Sequence, residues 1–458
     1  MSKQQKNMIM ILVGVILISG VITGIIIWNA RCVLDGTQIC YDENNKVFYL
    51  EEDAKVSVQV ESDSLKQYLE ETWITLHPEY EGALEITVRE SLTLDELAAE
   101  GLPFDLNVTG QTSAAFIMDK VFDMGSAVGD TILANVPTQL QDASNASGIV
   151  FVPNSTKGWL FVYNKTFAEE LGYDLTDEDL SGLPDIFESW EDIIEFAPQL
   201  LEQMDTVFPL TFVDQESFYP FLTGGRWLLN FTNRGSDPGF GSSEFLDGLA
   251  LIEALRDAPI VPTQEDGTVS SAESLAWRYE EALYNRETLF TIAIDWMQLD
   301  EHSALTGDEY VYAPFPSFKG TRLSPMAEVD GYVMSNDVEY PSATAEVLRI
   351  LRAPAAASVY SSASSKTFVM MRHEFQNLQV DDETLNKIRA YSYSDSVPVM
   401  TLDDNPAVLS RYVFQEVDIM DVLKDLYDQK LSAQEVQEVI VQRATEWIDT
   451  HAVEASDD

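Results

Sequence analysis

Basic residues are scarce in this chain: 27 Lys and Arg stand against 77 Asp and Glu, for a formal net charge of -50 across 458 residues. A surface of that sign cannot neutralise phosphates and release their counterions, so nucleic-acid binding is excluded. Cysteine is limited to Cys32 and Cys40, too few for a disulfide framework. The four histidines, His77, His302, His373 and His451, are scattered. No H-E-x-x-H, paired C-x-x-C, G-x-S-x-G or G-x-x-x-x-G-K-[ST] motif occurs. Nothing announces the nucleophile, base or metal an enzyme would need, and no catalysis is expected. No 20–50-residue repeat occurs either, which excludes solenoids and propellers.

What is present points to a globular body behind an anchor. Hydrophobic residues make up 45% and aromatics 10%, enough to fill two or three domain cores and to exclude general disorder. The anionic surface repels anionic lipid. It suits a body held off a membrane, a high-salt habitat or cation binding, or is simply a solvated face. Met8 to Trp28 (MIMILVGVILISGVITGIIIW) carries no charge. At about 1.5 Å per residue it can cross a hydrocarbon core about 30 Å thick. No A-x-A-like site follows, so an uncleaved transmembrane anchor is expected. Lys3 and Lys6 before it, with the acidic body after it, put the N-terminus in the cytoplasm and the body on the extracellular face. Cys32 lies where a bacterial lipoprotein carries its lipid, although Arg31 departs from the small residue such processing needs. Pairing with Cys40 in an oxidising compartment is the alternative.

Beyond residue 50 the pattern is α/β. Val56 to Val60 alternates, Ser64-x-x-Gln67 reads as a helix cap before Leu65, Leu69 and Trp73, and Ala83 to Val88 alternates again. A strand at Phe104 to Val108 precedes a helical run from Thr112 to Phe122. Strands alternating with helices predict a mostly parallel sheet. Ligands bind such sheets beyond the carboxyl ends of the strands, at Glu61, Ser62, Asp63, Thr109, Gly110 and Gln111 here, where ordinary turn chemistry is the alternative. GWLFVY (158–163) and LFTIAI (289–294) read as buried strands, the latter ending at Asp295 and Trp296. Ser189 starts a helix carrying Ile193, Ile194, Ala197 and Leu201. Two amphipathic helices follow Asp418, with a capping box at Ser432.

Two constellations are candidate sites. Asp177, Asp179, Ser181, Leu183 (through its carbonyl), Asp185 and Glu188 occupy positions 1, 3, 5, 7, 9 and 12 of a calcium-loop pattern, with Gly182 at position 6. Pro184 departs from the pattern. A structural Ca²⁺ is one reading and a plain acidic turn the other. The aromatics Trp159, Phe218, Tyr219, Trp227, Trp296 and Tyr332 lie near strand ends. Their flat faces suit sugar rings, with core packing as the alternative.

Tyr163-Asn164-Lys165 followed by FAEELGY, the SWED start at Ser189, LYNRETLFTIAIDW ending at Trp296, YVYAPFPSFKG (310–320) and Glu328-Val329-Asp330-Gly331-Tyr332 stand in the order seen in one family. In this the chain resembles the maltose-binding-protein-like solute-binding proteins, family 1, of ABC importers. The resemblance runs from about residue 50 to 450. It implies a two-lobed, periplasmic-binding-protein-like fold (type II), with a mostly parallel sheet flanked by helices in each lobe, a hinge, and a ligand cleft between. Lobe 1 would comprise 51–156 and 327–352, and lobe 2 157–326 and 353–450. A cytoplasmic tail (1–7), the anchor (8–28), a linker (29–50) and an acidic tail (451–458) complete the expectation. Trp296 after Asp295 stands at the family's cleft tryptophan, and Asp330 and Tyr332 lie in the EVDGY segment. Lys157 stands where maltose binders carry an acidic residue and Thr109 where they carry an aromatic one, so a sugar other than maltodextrin is implied. The implied function is a surface-anchored, monomeric sugar-binding component of an importer on a bacterial cell of Gram-positive type, handing its ligand to the membrane permease. A membrane-anchored sensor or interaction protein, calcium-stabilised in one form, is the competing reading.

Overall fold

The computed structural model describes residues 32, 34, 36–137, 140, 148–178, 180–209, 215–227, 239–258, 260, 279–293, 297, 299–363, 366–393 and 417–451. Alternating apolar residues build the first sheet. Its strands are β3 (Val56–Val60), β4 (Leu84–Val88), β5 (Leu106–Gly110), β6 (Val152–Gly158), β12 (Ala327–Met334) and β13 (Thr367–Phe368), in the order β13-β6-β12-β5-β3-β4. Between β3 and β4 runs helix α1 (Asp63–Leu76), which buries Leu65, Leu69 and Trp73 at four-residue spacing. Its cap is Ser62, whose side chain accepts from the Leu65 amide, and not the expected Ser64.

The sheet is mixed, which corrects the mostly parallel expectation. β3 runs parallel to β4 and β5, but β12 pairs antiparallel with both β5 and β6, and β13 antiparallel with β6. The second sheet, β8-β7-β9, comprises β7 (Leu160–Asn164), β8 (Phe290–Ala293) and β9 (Tyr310–Ala313) and is antiparallel at both pairings. Alternation reveals that a strand exists but not its direction, which follows from where the chain crosses between sheets. The first crossing is Gly158 to Leu160, from β6 straight into β7. A hairpin of β10 (Ser317–Phe318) and β11 (Thr321–Arg322) precedes the return into β12. A Cβ on Gly158 would come within 2.3 Å of the Met326 carbonyl, so glycine is needed where the two crossings touch.

Each sheet has its own apolar core. The first holds Val58, Trp73, Leu348, Tyr332 and Phe368 with helices α5 (Pro341–Leu351) and α6 (Pro354–Ala363). Ala357 and Tyr360, from the segment 353–450 expected in the second lobe, pack in this core. The second core is aromatic, centred on Phe161, Phe208, Phe290 and Trp190 at the start of α2 (Trp190–Leu200), which Ser189 caps as expected. Helices α8 (Ile419–Tyr427) and α9 (Ala433–His451) pack with α3 (Ser243–Asp257), and the Arg256 guanidinium donates to the Leu426 carbonyl at 2.6 Å. The expected box at Ser432 forms with Glu435.

Residues 40–50, within the expected linker 29–50, are folded. Strands β1 (Tyr41–Asp42) and β2 (Val47–Phe48) form a hairpin, Phe48 is buried, and Cys40 is bonded to Cys32. The Cys40 amide donates to Ser342, and Glu51 accepts from the Ser342 and Ala343 amides at the start of α5. No helix among the described residues is long and apolar enough to cross a membrane. The expected span Met8–Trp28 lies outside the described residues, as do the tails 1–7 and 452–458.

Candidate functional site

A cavity of about 320 Å³ opens where the crossings meet. Lys157 and Gly158 at the end of β6, Leu160 at the start of β7, Ala293 at the end of β8 and Tyr312 of β9 form one wall. Asp300, in the first turn of α4 (Leu299–Thr306), and α7 (Asp382–Ser392) form the other. Along α7, Glu383, Lys387 and Tyr391 recur every four residues and so share a face. Lys387 pairs with Glu383 and lies 4.5 Å from the centre of the Tyr312 ring, and the Tyr391 hydroxyl donates to the Gly158 carbonyl at 2.9 Å.

Burial and a hydrogen bond with Asp300 push the Glu383 carboxyl up to about 7, against the pull of Lys387. A raised carboxyl pKa means that the folded state keeps a proton the unfolded chain releases above about 4.5. Between about pH 4.5 and 7 this group therefore lowers stability as pH rises, and above 7 its effect is constant. Glu383→Gln is expected to remove that dependence. The difference in melting temperature between wild type and variant, measured from pH 4 to 8, should change across this window and level off above it.

Next to this cavity a charged cluster lies at the carboxyl end of β3. The Lys366 ammonium lies 2.9 Å from Glu61 and 3.0 Å from Ser91, and it pairs with Asp330 of β12. The Ser91 hydroxyl is 2.8 Å from Asp330. Tyr360 donates to Glu61 and its hydroxyl lies 3.0 Å from that of Ser155. Burial alone would depress the Lys366 pKa, but Asp330 and Glu61 outweigh it and hold it above 10.5. Ser155 and Lys157 alternate onto one face of β6, opposite Asp330 and Glu328 of β12, so the same two strands carry a residue of the cavity wall and a residue of the cluster. Gln111, directly after β5, is buried, and its amide nitrogen has no hydrogen-bond partner among the described residues.

Of the expected ligand residues, Lys157 lines the cavity, Gln111 directly follows β5, and Asp330 lies within β12 opposite Gly110, the last residue of β5. Asp63 is exposed in the first turn of α1. Thr109 is buried and donates to the Leu92 carbonyl at 2.8 Å. Phe218, Tyr219, Trp227 and Tyr332 are core residues, each at most 3% exposed, which corrects their expected place on a sugar-stacking wall. Trp227, for instance, sits 4.9 Å from Phe245 and 5.5 Å from Phe240, so its area is spent on packing. Trp159 is partly buried at the crossing. Asp295 and Trp296 lie outside the described residues.

The calcium-loop donors are engaged by the protein itself. Asp177 accepts from the Ser181 and Gly182 amides at 3.0 and 2.7 Å, Ser181 Oγ from the Leu183 amide and Asp185 from the Glu178 amide, while Glu188 pairs with Arg322. That is the chemistry of a carboxylate-closed turn. Asp179 lies outside the described residues. Among the described residues no group of three or more His, Cys, Asp or Glu is placed to hold a metal.

Tyr360, Lys366, Asp300, Tyr312 and the α7 triad carry the geometry yet were not singled out from sequence. The four-residue spacing of Glu383, Lys387 and Tyr391 was a visible signal. Lys366 offered only its sign, a cation after a serine-rich patch in an acidic chain.

No family model matches the chain, and no curated protein matches its sequence. In structure it is similar to a cyclic alpha-maltosyl-1,6-maltose binding protein from Arthrobacter globiformis, with a TM-score of 0.60 at 12% identity, covering 87% of this chain and 99% of that one. The likeness shows the fold: an α/β architecture with a mixed sheet and many helices, shared with a sugar-binding protein.

Proposed function

We propose that the chain is the solute-binding component of an ABC importer, taking up a sugar or oligosaccharide between its lobes and handing it to a membrane permease. The observation that carries this reading is the cavity at the crossings, with the Glu61, Ser91, Asp330 and Lys366 cluster one residue along the chain from its lining residue Thr367, on a fold shared with a sugar binder. Fixed carboxylates, ammonium groups and hydroxyls match the donors and acceptors of a polyol. A volume of about 320 Å³ falls at the small end of the roughly 300–1,000 Å³ of ligand pockets, which suits a short ligand. Closure of two lobes about their crossings would bury it, and an anchor at Met8–Trp28 would keep the clamp near its permease.

The test is a thermal-shift screen against a sugar panel. A ligand that binds only the folded state adds about 2.7–4.1 kcal/mol at 100 to 1,000 times Kd. Lys157→Ala, half-exposed and at the cavity rim, is expected to weaken a hit at least tenfold while leaving the melting temperature of the free protein nearly unchanged. No shift with any sugar would overturn this reading in favour of the anchored sensor or interaction protein.

A further inference from the structure

Seven large hydrophobic residues are exposed among the described residues, and four of them, Leu34, Tyr49, Ile74 and Leu76, belong to the disulfide loop, the residue after β2 and the last turn of α1. Their proximity follows from shared partners. The Phe48 amide and His77 Nε2 both meet the buried Glu346 carboxylate, at 3.2 and 2.8 Å, which brings Tyr49 beside the end of α1 that carries Ile74 and Leu76. Leu34 lies within the disulfide loop, where the position of a Cβ on Gly36 is 3.1 Å from the Glu339 carbonyl just ahead of α5. The Tyr49 amide donates to the Cys40 carbonyl at 2.8 Å, closing hairpin and loop into one collar.

This collar is where the apolar run arrives. Only Asn29, Ala30 and Arg31 separate Trp28 from Cys32, a reach of about 14 Å fully extended at ~3.5 Å per residue. Through the disulfide, whose Cα atoms are 5.5 Å apart, Cys40 stays within about 20 Å of Trp28. Along the open chain the limit would be about 40 Å. We infer that this face of the first lobe, with Leu34, Tyr49, Ile74 and Leu76, rests on the outer surface of the lipid bilayer, and that the Cys32–Cys40 bond holds it there. The inference rests on reading Met8–Trp28 as a membrane anchor. Tyrosine and aliphatic side chains suit the interfacial zone, and the acidic body favours a zwitterionic headgroup over an anionic one. The cleft would then be held at a fixed height and tilt above the membrane.

The full chain, reconstituted into phosphatidylcholine vesicles carrying a headgroup quencher, tests this with a fluorophore at Leu76→Cys or, as control, Leu305→Cys in α4 of the second lobe. Cys32 and Cys40 are bonded to each other and do not take the label. Quenching is expected to be at least threefold stronger at 76 than at 305, and to fall towards the level at 305 when Cys32 and Cys40 are both changed to Ser. Equal quenching at the two positions, with the protein still resisting carbonate extraction, overturns the docking while leaving the anchor intact. Extraction by carbonate overturns the anchor and the docking with it. Labelling at 76 that only a permease blocks, with no quenching in lipid alone, assigns the face to protein instead.

Discussion

Lys366→Met is expected to destabilise the first lobe by about 3–5 kcal/mol and, with it, to weaken binding of the proposed sugar ligand. The ammonium sits between two carboxylates that are largely buried, with side-chain exposures of 10% for Glu61 and 14% for Asp330. Removing one partner of such a set leaves uncompensated charge, which costs about 3–5 kcal/mol, more than the intact pair contributes. Ser91 and Tyr360 would remain as the neutral groups bonded to the two anions. The pH dependence carries a sign that can be worked out. Lys366 is held above 10.5 in the folded state, so its contribution is complete below 10.5 and is lost as pH rises beyond it. Adding Asp330→Asn to the variant should restore part of the loss, since a buried anion is then removed with its cation. Denaturant titrations of the three proteins at pH 4, 7 and 10 measure this. A Lys366→Met protein as stable as wild type at pH 7 would show that the cluster is solvated and not a buried network.

How much of this was legible in the sequence differs from element to element. β3, α1, β7, β8, α2 and the two C-terminal helices were readable because each carries a helical or strand period or a short continuous apolar run, in places with a local start signal such as Ser189 or Ser432. Strand direction was not, because β12 owes its antiparallel pairing with β5 and β6 to a crossing made more than a hundred residues after β6 ends. The hairpin at 41–48 was hidden for another reason. Its strands are two residues each and become ordered through Glu346, Ser342 and the disulfide, all distant or non-periodic partners.

The site divides along the same line. Glu61, Gln111 and Asp330 were reachable because the carboxyl ends of strands, or a motif beside one, marked them. Phe218, Tyr219, Trp227 and Tyr332 misled because an aromatic near a strand end satisfies the same pattern whether it faces a ligand or a core. Burial decides between the two, and burial depends on elements far away, such as α3 for Trp227. Lys366 joins Glu61 across some three hundred positions of sequence, and no local pattern anticipates that contact.

Trp190 is where stability and the cavity meet in the second lobe. It is fully buried, with ring centres 5.1 Å from Phe208, 5.7 Å from Phe221 and 6.0 Å from Phe161. Trp190→Ala is expected to cost about 3–5 kcal/mol through lost apolar area and the cavity left behind. Trp190→Phe should cost far less than its lost volume suggests. The indole nitrogen is buried without a hydrogen-bond partner among the described residues, and phenylalanine removes that unmet donor along with the second ring. Phe161 belongs to β7, whose neighbour Leu160 lines the cavity, so a collapse around position 190 reaches the binding wall through one strand. Affinity for the proposed sugar ligand should therefore drop in Trp190→Ala and hold in Trp190→Phe. Denaturation midpoints and ligand-induced thermal shifts of the two variants, taken together, check both halves. Equal destabilisation by Ala and Phe would mean that the indole N–H is bonded. Equal affinity would mean that the cavity wall does not lean on this core.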